Sequence, residues 1–102
     1  GWYFLMPNSW RGRVSAESVE TVAGENQVTI YVDEKAVLSL YTITNDSREN
    51  RAVMGERFLL RRQPGTIYAA ELYADAVWYG MDVQTLKDNF RMAVTAWRPS
   101  NS

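Results

Sequence analysis

Carboxylate pairs are the side chains here best suited to chemistry, because hydrolysis of a glycosidic bond needs only two of them at the right separation. Asp33 with Glu34, Glu49 with Glu56, and Glu71 with Asp75 are the candidate pairs. None sits in a recognisable motif. The plainer account of each is a solvated surface acid, with Glu71 paired to an arginine. A hydrolase of glycan or peptidoglycan would need two of Glu49, Glu56, Glu71 and Asp75 to face one cleft. Asn45, Asp46, Ser47, Glu49 and Asn50 supply oxygens suited to a hard cation such as Ca²⁺. That stretch lacks the alternating ligand positions and loop glycine of an EF-hand, so it reads as a solvated surface connection.

The residue types that are missing narrow the field further. The chain has no cysteine and no histidine. The first absence removes disulfides, thiol nucleophiles and thiolate metal sites. The second removes the commonest general base and the commonest transition-metal ligand. No phosphate-binding glycine loop, nucleophile elbow or metal-binding helix motif occurs, and neither Lys35 nor Lys87 is placed to serve a catalytic serine. The chain is therefore expected not to be an enzyme and to use no cofactor or metal.

Two groups of residues suit binding instead. Arg57, Arg61 and Arg62 fall on one strand of a hairpin, with Tyr68 and Tyr73 on the other. Guanidinium groups on phosphates and rings under bases would hold an anionic polymer. Salt bridges to Glu56 and Glu71, or a charged edge strand, account for the same residues. The net charge of -1 also argues against nucleic acid. The second group is the aromatics: Trp2, Tyr3, Trp10, Tyr31, Tyr41, Trp78 and Tyr79 exceed what a small core needs. Exposed flat rings serve sugar platforms and protein interfaces alike, although half-buried sheet positions are the plainer home for them. Trp78 and Tyr79, beside Gly80, are the pair expected to stay exposed. The candidate contact residues are thus Trp78, Tyr79, Arg57, Arg61 and Tyr68.

Elements must position these residues. At 102 residues the chain spans one domain, and 46 % hydrophobic content lets it bury a core without a disulfide or metal staple. In Gln27 to Thr44, Val28, Ile30 and Val32 alternate with Thr29 and Tyr31 as in a half-buried strand. Asp33, Glu34 and Lys35 make a turn of three residues or slightly more, and Val37 to Ile43 follows as a central strand, apolar on both faces. Trp2 to Met6 predicts a strand stopped by Pro7, with Trp10 folded over the sheet as a plug whose N–H seeks a partner. Arg13 to Val22 suits an edge strand, although Val19 and Val22 also fit helical spacing. Asp46 or Ser47 is placed to cap a helical turn from Arg48 toward Met54.

Glu56 to Gln63 and Thr66 to Tyr73 flank Pro64-Gly65 as a second hairpin, with Leu59 and Arg61 sharing a face. Ala74 to Met81 is either a strand extension or a covered loop. Asp82 predicts the N-cap of a closing helix whose stripe runs Val83, Leu86, Phe90, Val94, Trp97 and ends before Pro99. No internal repeat and no apolar run near the length of a membrane span is present.

The opening residues carry a family resemblance. Tyr3-Phe4, Met6-Pro7 and Ser9-Trp10, followed by a hairpin and a closing amphipathic helix, look like small exported bacterial domains with an F-x-x-P-x-S-W start. That start is similar to the opening of the PsbP-like family, extrinsic subunits of the photosynthetic oxygen-evolving complex and their non-photosynthetic relatives. The resemblance rests on Phe4, Pro7 and Trp10. It implies a central antiparallel sheet with helices against it, a binding or assembly role without catalysis, and an exported setting with a leader or lipid anchor removed ahead of Gly1.

The expectation is a single α+β domain over residues 1–102, an antiparallel sheet of about five or six strands with the Asp82–Trp97 helix packed on it. Its expected role is a non-enzymatic interaction module of an exported or lipid-anchored bacterial protein. The expected partner is another protein or a cell-envelope polymer, with dimerisation through an uncovered sheet edge or face as a further reading.

Overall fold

Alternating side chains between residues 27 and 43 produce the expected hairpin, and the rest of the molecule is laid around it. The computed structural model describes residues 1–93. In chain order its strands are β1 (Trp2–Phe4), β2 (Val14–Val22), β3 (Glu25–Val32), β4 (Lys35–Ile43), β5 (Phe58–Gln63), β6 (Thr66–Leu72) and β7 (Phe90–Met92). Two short α-helices, α1 (Arg48–Arg51) and α2 (Val83–Asn89), and two 3₁₀ segments, Asn8–Trp10 and Ala74–Tyr79, complete the described elements. Five strands form one antiparallel sheet in the order β2-β3-β4-β6-β5, and β1 pairs with β7 in a separate two-stranded sheet. Antiparallel strands with a few short helices are thus the architecture, with seven strands in two sheets among the described residues.

β4 lies in the middle of the larger sheet, and Val37, Leu38, Ser39, Leu40, Tyr41 and Ile43 are all buried. The turn before it is tighter than its sequence suggests. Lys35 is already in β4, so only Asp33 and Glu34 connect the strands, both at positive φ (53° and 68°). Positive φ at both central positions is the hairpin geometry whose twist matches that of the flanking strands.

One sheet face carries Ile30, Val32, Leu38, Leu40 and Ala70, covered by Trp10, Ala76, Met81 and Leu86. Trp2, Phe4, Phe58 and Phe90 pack around that core. The other face is apolar only at one end, where Tyr41, Ile43, Ile67 and Ala69 meet Ala52 at the end of α1. Toward β2 it becomes polar. Register explains why: Thr29 opposes Ser39, Gln27 opposes Tyr41, and Ser39 opposes Glu71, so these side chains share that face.

Two expectations are corrected. The helix foreseen from Asp82 to Trp97 stops at Asn89, and Phe90 turns extended (φ -81°, ψ 123°) to enter β7. The cause is long-range. Trp2–Phe4 needs a ladder partner, and Leu5 and Asn89 clamp the junction: Leu5 N–H donates to the Asn89 carbonyl and Asn89 Nδ2 to the Leu5 carbonyl, each at 2.9 Å. Leu86 and Phe90 still reach the core, but Val83 stays exposed, and Val94 and Trp97 lie outside the described residues. The N-cap holds, with Asp82 Oδ1 accepting from Thr85 N–H at 2.7 Å.

In the second hairpin, Leu59 opposes Ala69 but Arg61 opposes Tyr68, so a bulge interrupts β5. Arg61 is therefore registered with Tyr68 rather than sharing a face with Leu59.

Candidate recognition site

The segment Ala74–Tyr79 is a 3₁₀ stretch held at both ends. Ala76 and Met81 are buried, and Gly80, at φ 72°, ends the segment in a left-handed turn that a side chain would strain. Trp10, fully buried, donates its indole N–H to the Tyr79 carbonyl at 3.0 Å. With both ends fixed, Val77 (73 % exposed) and Trp78 (81 % exposed) project outward. Tyr79 is half-buried beside them, its ring 5.6 Å from the Arg13 guanidinium. Trp78 and Tyr79 line a cavity of about 250 Å³ together with Lys35 and Asp75.

The hairpin residues do not join this corner, nor do they form a patch of their own. Tyr68 is buried on the covered face, its ring 5.6 Å from Phe90, and exposed Arg61 is registered opposite it. Arg57 belongs to the other face. Its guanidinium lies 3.8 Å over the Tyr41 ring and donates to both oxygens of Glu25 at 3.0 Å. Arg51 donates to the same carboxylate at 2.6 and 3.2 Å, and Thr21 contributes its hydroxyl.

Glu25 is 1 % exposed. Burial pushes its pKa up, but the hydrogen bonds from Arg51, Arg57 and Thr21 overcome that and bring it down to about 2. This ionic cluster ties β3 to α1 and to the chain entering β5. Sequence reasoning did not find it, because its members stand 26 and 32 positions from Glu25.

Beyond Tyr41 the open face carries a chain of side-chain hydrogen bonds. Gln27 Nε2 donates to the hydroxyls of Ser39 and Tyr41 at 3.1 Å each. Ser39 Oγ also meets Thr29 and Tyr73 hydroxyls at 2.7 Å, and Tyr41 donates to Glu71 at 2.8 Å. Burial, then that bond to Glu71, holds the Tyr41 phenol well above its usual pKa. At the sheet margin Tyr31 donates to Glu17 at 2.7 Å.

An open groove of about 720 Å³ runs over these residues, lined by Glu17, Val19, Gln27, Thr29, Tyr31 and Tyr73 among others. A neighbouring hollow of about 410 Å³ shares Glu17 and Tyr31 and reaches Glu34. The first also touches Ala36, which opposes groove-lining Tyr31, whereas Lys35 of the Trp78 cavity opposes Val32 of the covered core, so groove and corner lie on opposite faces of the sheet. What this surface offers is hydroxyl and amide hydrogen bonding, aromatic rings and carboxylate charge. Ser39, a buried hydroxyl on the same face, is bonded to Thr29, Tyr73 and Gln27.

The four acids of the hydrolase reading are dispersed. Glu49, on α1, pairs with Arg62 of β5; Glu56 is exposed in the turn before β5; Glu71, on β6, accepts from Tyr41; Asp75 alone among the four lines the Trp78 cavity. Among the described residues no three acidic side chains gather in a way that would hold a metal ion. Asn45, from the oxygen-rich loop, is a bracing residue: Nδ2 donates to the Ala23 carbonyl and Oδ1 accepts from Ser47 N–H, each at 3.1 Å. In comparisons with known proteins, no family model, no curated protein and no solved structure matches this chain.

Proposed function

We propose that the chain is a non-enzymatic recognition module whose contact surface is the Trp78 corner, with Tyr79, Lys35 and Asp75 beside the exposed ring. The observation that carries this reading is an indole 81 % exposed on a segment pinned by buried neighbours. A large ring left in water by a loose loop needs no explanation, but one presented by a fixed segment is preorganised for contact. Aromatic anchors with polar surroundings are what protein interfaces and sugar platforms share. The partner is a protein or a cell-envelope polymer, and the exported bacterial setting rests on the resemblance of Phe4, Pro7 and Trp10 to PsbP-like openings.

The test uses insoluble peptidoglycan sacculi and intact-cell envelope protein as two separate probes, with cosedimentation as the readout. Wild-type protein is expected to sediment with one of them. Trp78→Ala should lose at least about tenfold in affinity, as for a central aromatic anchor, with an unchanged Tm. A Trp78→Ala protein that binds as well as wild type, or wild-type protein that binds neither probe, overturns the reading.

A further inference from the structure

β2 is the outermost strand of the five-stranded sheet, and among the described residues no strand pairs with its outer side. It is long, nine residues, and every residue after Val14 is exposed. Alternate residues of such a strand turn their N–H and C=O groups away from β3, leaving a row of backbone donors and acceptors. The opposite edge is managed differently: β5 is six residues, broken by its bulge and closed by Pro64. β2 has no proline, lysine or arginine, and its own bulge comes only between Glu20 and Val22.

The hollows beside β2 are lined by Ser15, Ala16 and Glu17 in one and by Glu17, Ser18 and Val19 in the other. Consecutive strand residues point to opposite faces, so hollows that each take in three β2 residues in a row reach the edge as well as the face beside it. The charge on this edge has one sign. Within β2, Glu17 and Glu20 are the only acidic or basic residues, and Glu34 adds a third acid past its end.

We propose that β2 is a strand-addition site, taken by an extended segment of a partner polypeptide that carries lysine or arginine. The backbone row supplies register and affinity, and the glutamates select the basic strand. A second copy of this chain is disfavoured as the occupant. Antiparallel β2–β2 pairing about a two-fold axis between Ser18 and Val19 brings Glu17 of each copy opposite Glu20 of the other, with no cation inside β2 to offset them. This site does not depend on Trp78, and the two readings fail separately.

The experiment titrates the protein with three nine-residue blocked peptides: alternating lysine and threonine, alternating glutamate and threonine, and the lysine peptide N-methylated at alternate amides. Amide chemical shifts and hydrogen exchange of Val14–Glu20 are followed by NMR, alongside sedimentation of the protein alone. The lysine peptide is expected to shift and protect the outward amides of β2. The glutamate peptide should bind at least about tenfold more weakly because like charges face each other.

The N-methylated peptide keeps the charge but cannot complete the ladder, so it should give no protection. The double variant Glu17→Lys with Glu20→Lys, both exposed positions, should reverse the preference. No selective protection of β2 at millimolar lysine peptide overturns the proposal. So does equal protection by the methylated peptide, which would reduce the effect to bulk attraction. A concentration-dependent dimer abolished by the double variant would assign the edge to self-pairing and overturn it as well.

Discussion

A carboxylate with almost no exposed surface stays charged only when its partners return more than burial removes, and Glu25 meets that condition through two arginines and a hydroxyl. Its pKa falls from 4.5 to about 2 in the folded state. Because the folded value is the lower one, the stability it contributes is complete above about pH 5 and is lost as pH falls toward 2. The difference corresponds to about 3 kcal/mol. Glu25→Gln should therefore lower stability at pH 7 by about that amount, since it leaves Arg51 and Arg57 facing a neutral amide. Urea denaturation of both proteins at pH 7 and pH 3 tests the origin of the loss. The gap should shrink to roughly half or less at pH 3, because the wild-type carboxylate is by then losing its advantage. A gap that does not narrow would mean that packing, and not ionisation, holds the site. At this scale the sequence was least informative: Arg57 read as an outward contact residue, and only the folded chain places it over the Tyr41 ring and against Glu25.

Between single residues and the whole chain stand the short elements that aim the site. The segment Ala74–Tyr79 has little of its own to fix it, being six residues of 3₁₀ helix without a side-chain cap. Trp10 supplies a fixed point through its indole N–H to the Tyr79 carbonyl. Trp10→Phe keeps most of the apolar volume and deletes that donor, leaving a part-buried carbonyl unpaired. A loss of about 1–3 kcal/mol is expected from the lost bond and the smaller ring. Amide exchange at Ala76, Gly80 and Met81 should accelerate well beyond that of β3 and β4. If exchange in this segment and in the sheet speed up equally, Trp10 stabilises the fold without specifically holding the corner. Trp10 was legible as a plug because a large ring with one N–H after a proline turn has few other places to go. The length of α2 was not legible. A 3.6-residue stripe reports which residues face the core, but Phe90 faces it equally well from a strand, and the need of Trp2–Phe4 for a partner has no local signature.

At the scale of the molecule, the five-stranded sheet is joined by hairpins and one connection through α1, whereas the β1–β7 pair joins residues at opposite ends of the described chain. Alternation and turn residues make hairpins readable from sequence, because each is decided within about twenty positions; the pairing Trp2 with Met92 is decided by neither. That difference has a thermodynamic consequence. β1 and β7 share three residue pairs, the Leu5–Asn89 clamp and a bond from Ala93 N–H to the Gly1 carbonyl. Closing the whole chain for so few bonds is favourable mainly because Trp2, Phe4 and Phe90 add apolar area to a core already formed by the sheet. The small sheet should then open as a unit while the large one stays intact. Native-state hydrogen exchange is expected to give Tyr3, Leu5 and Arg91 amides, which face the partner strand, protection lower by at least about a hundredfold than Ile30, Leu40 and Ala70. Low denaturant should leave the exchange of the small sheet almost unchanged, since its opening exposes little surface. Equal protection in both sheets would instead mean that the end-to-end pair is part of the global folding unit, and that the covered face cannot hold its core without it.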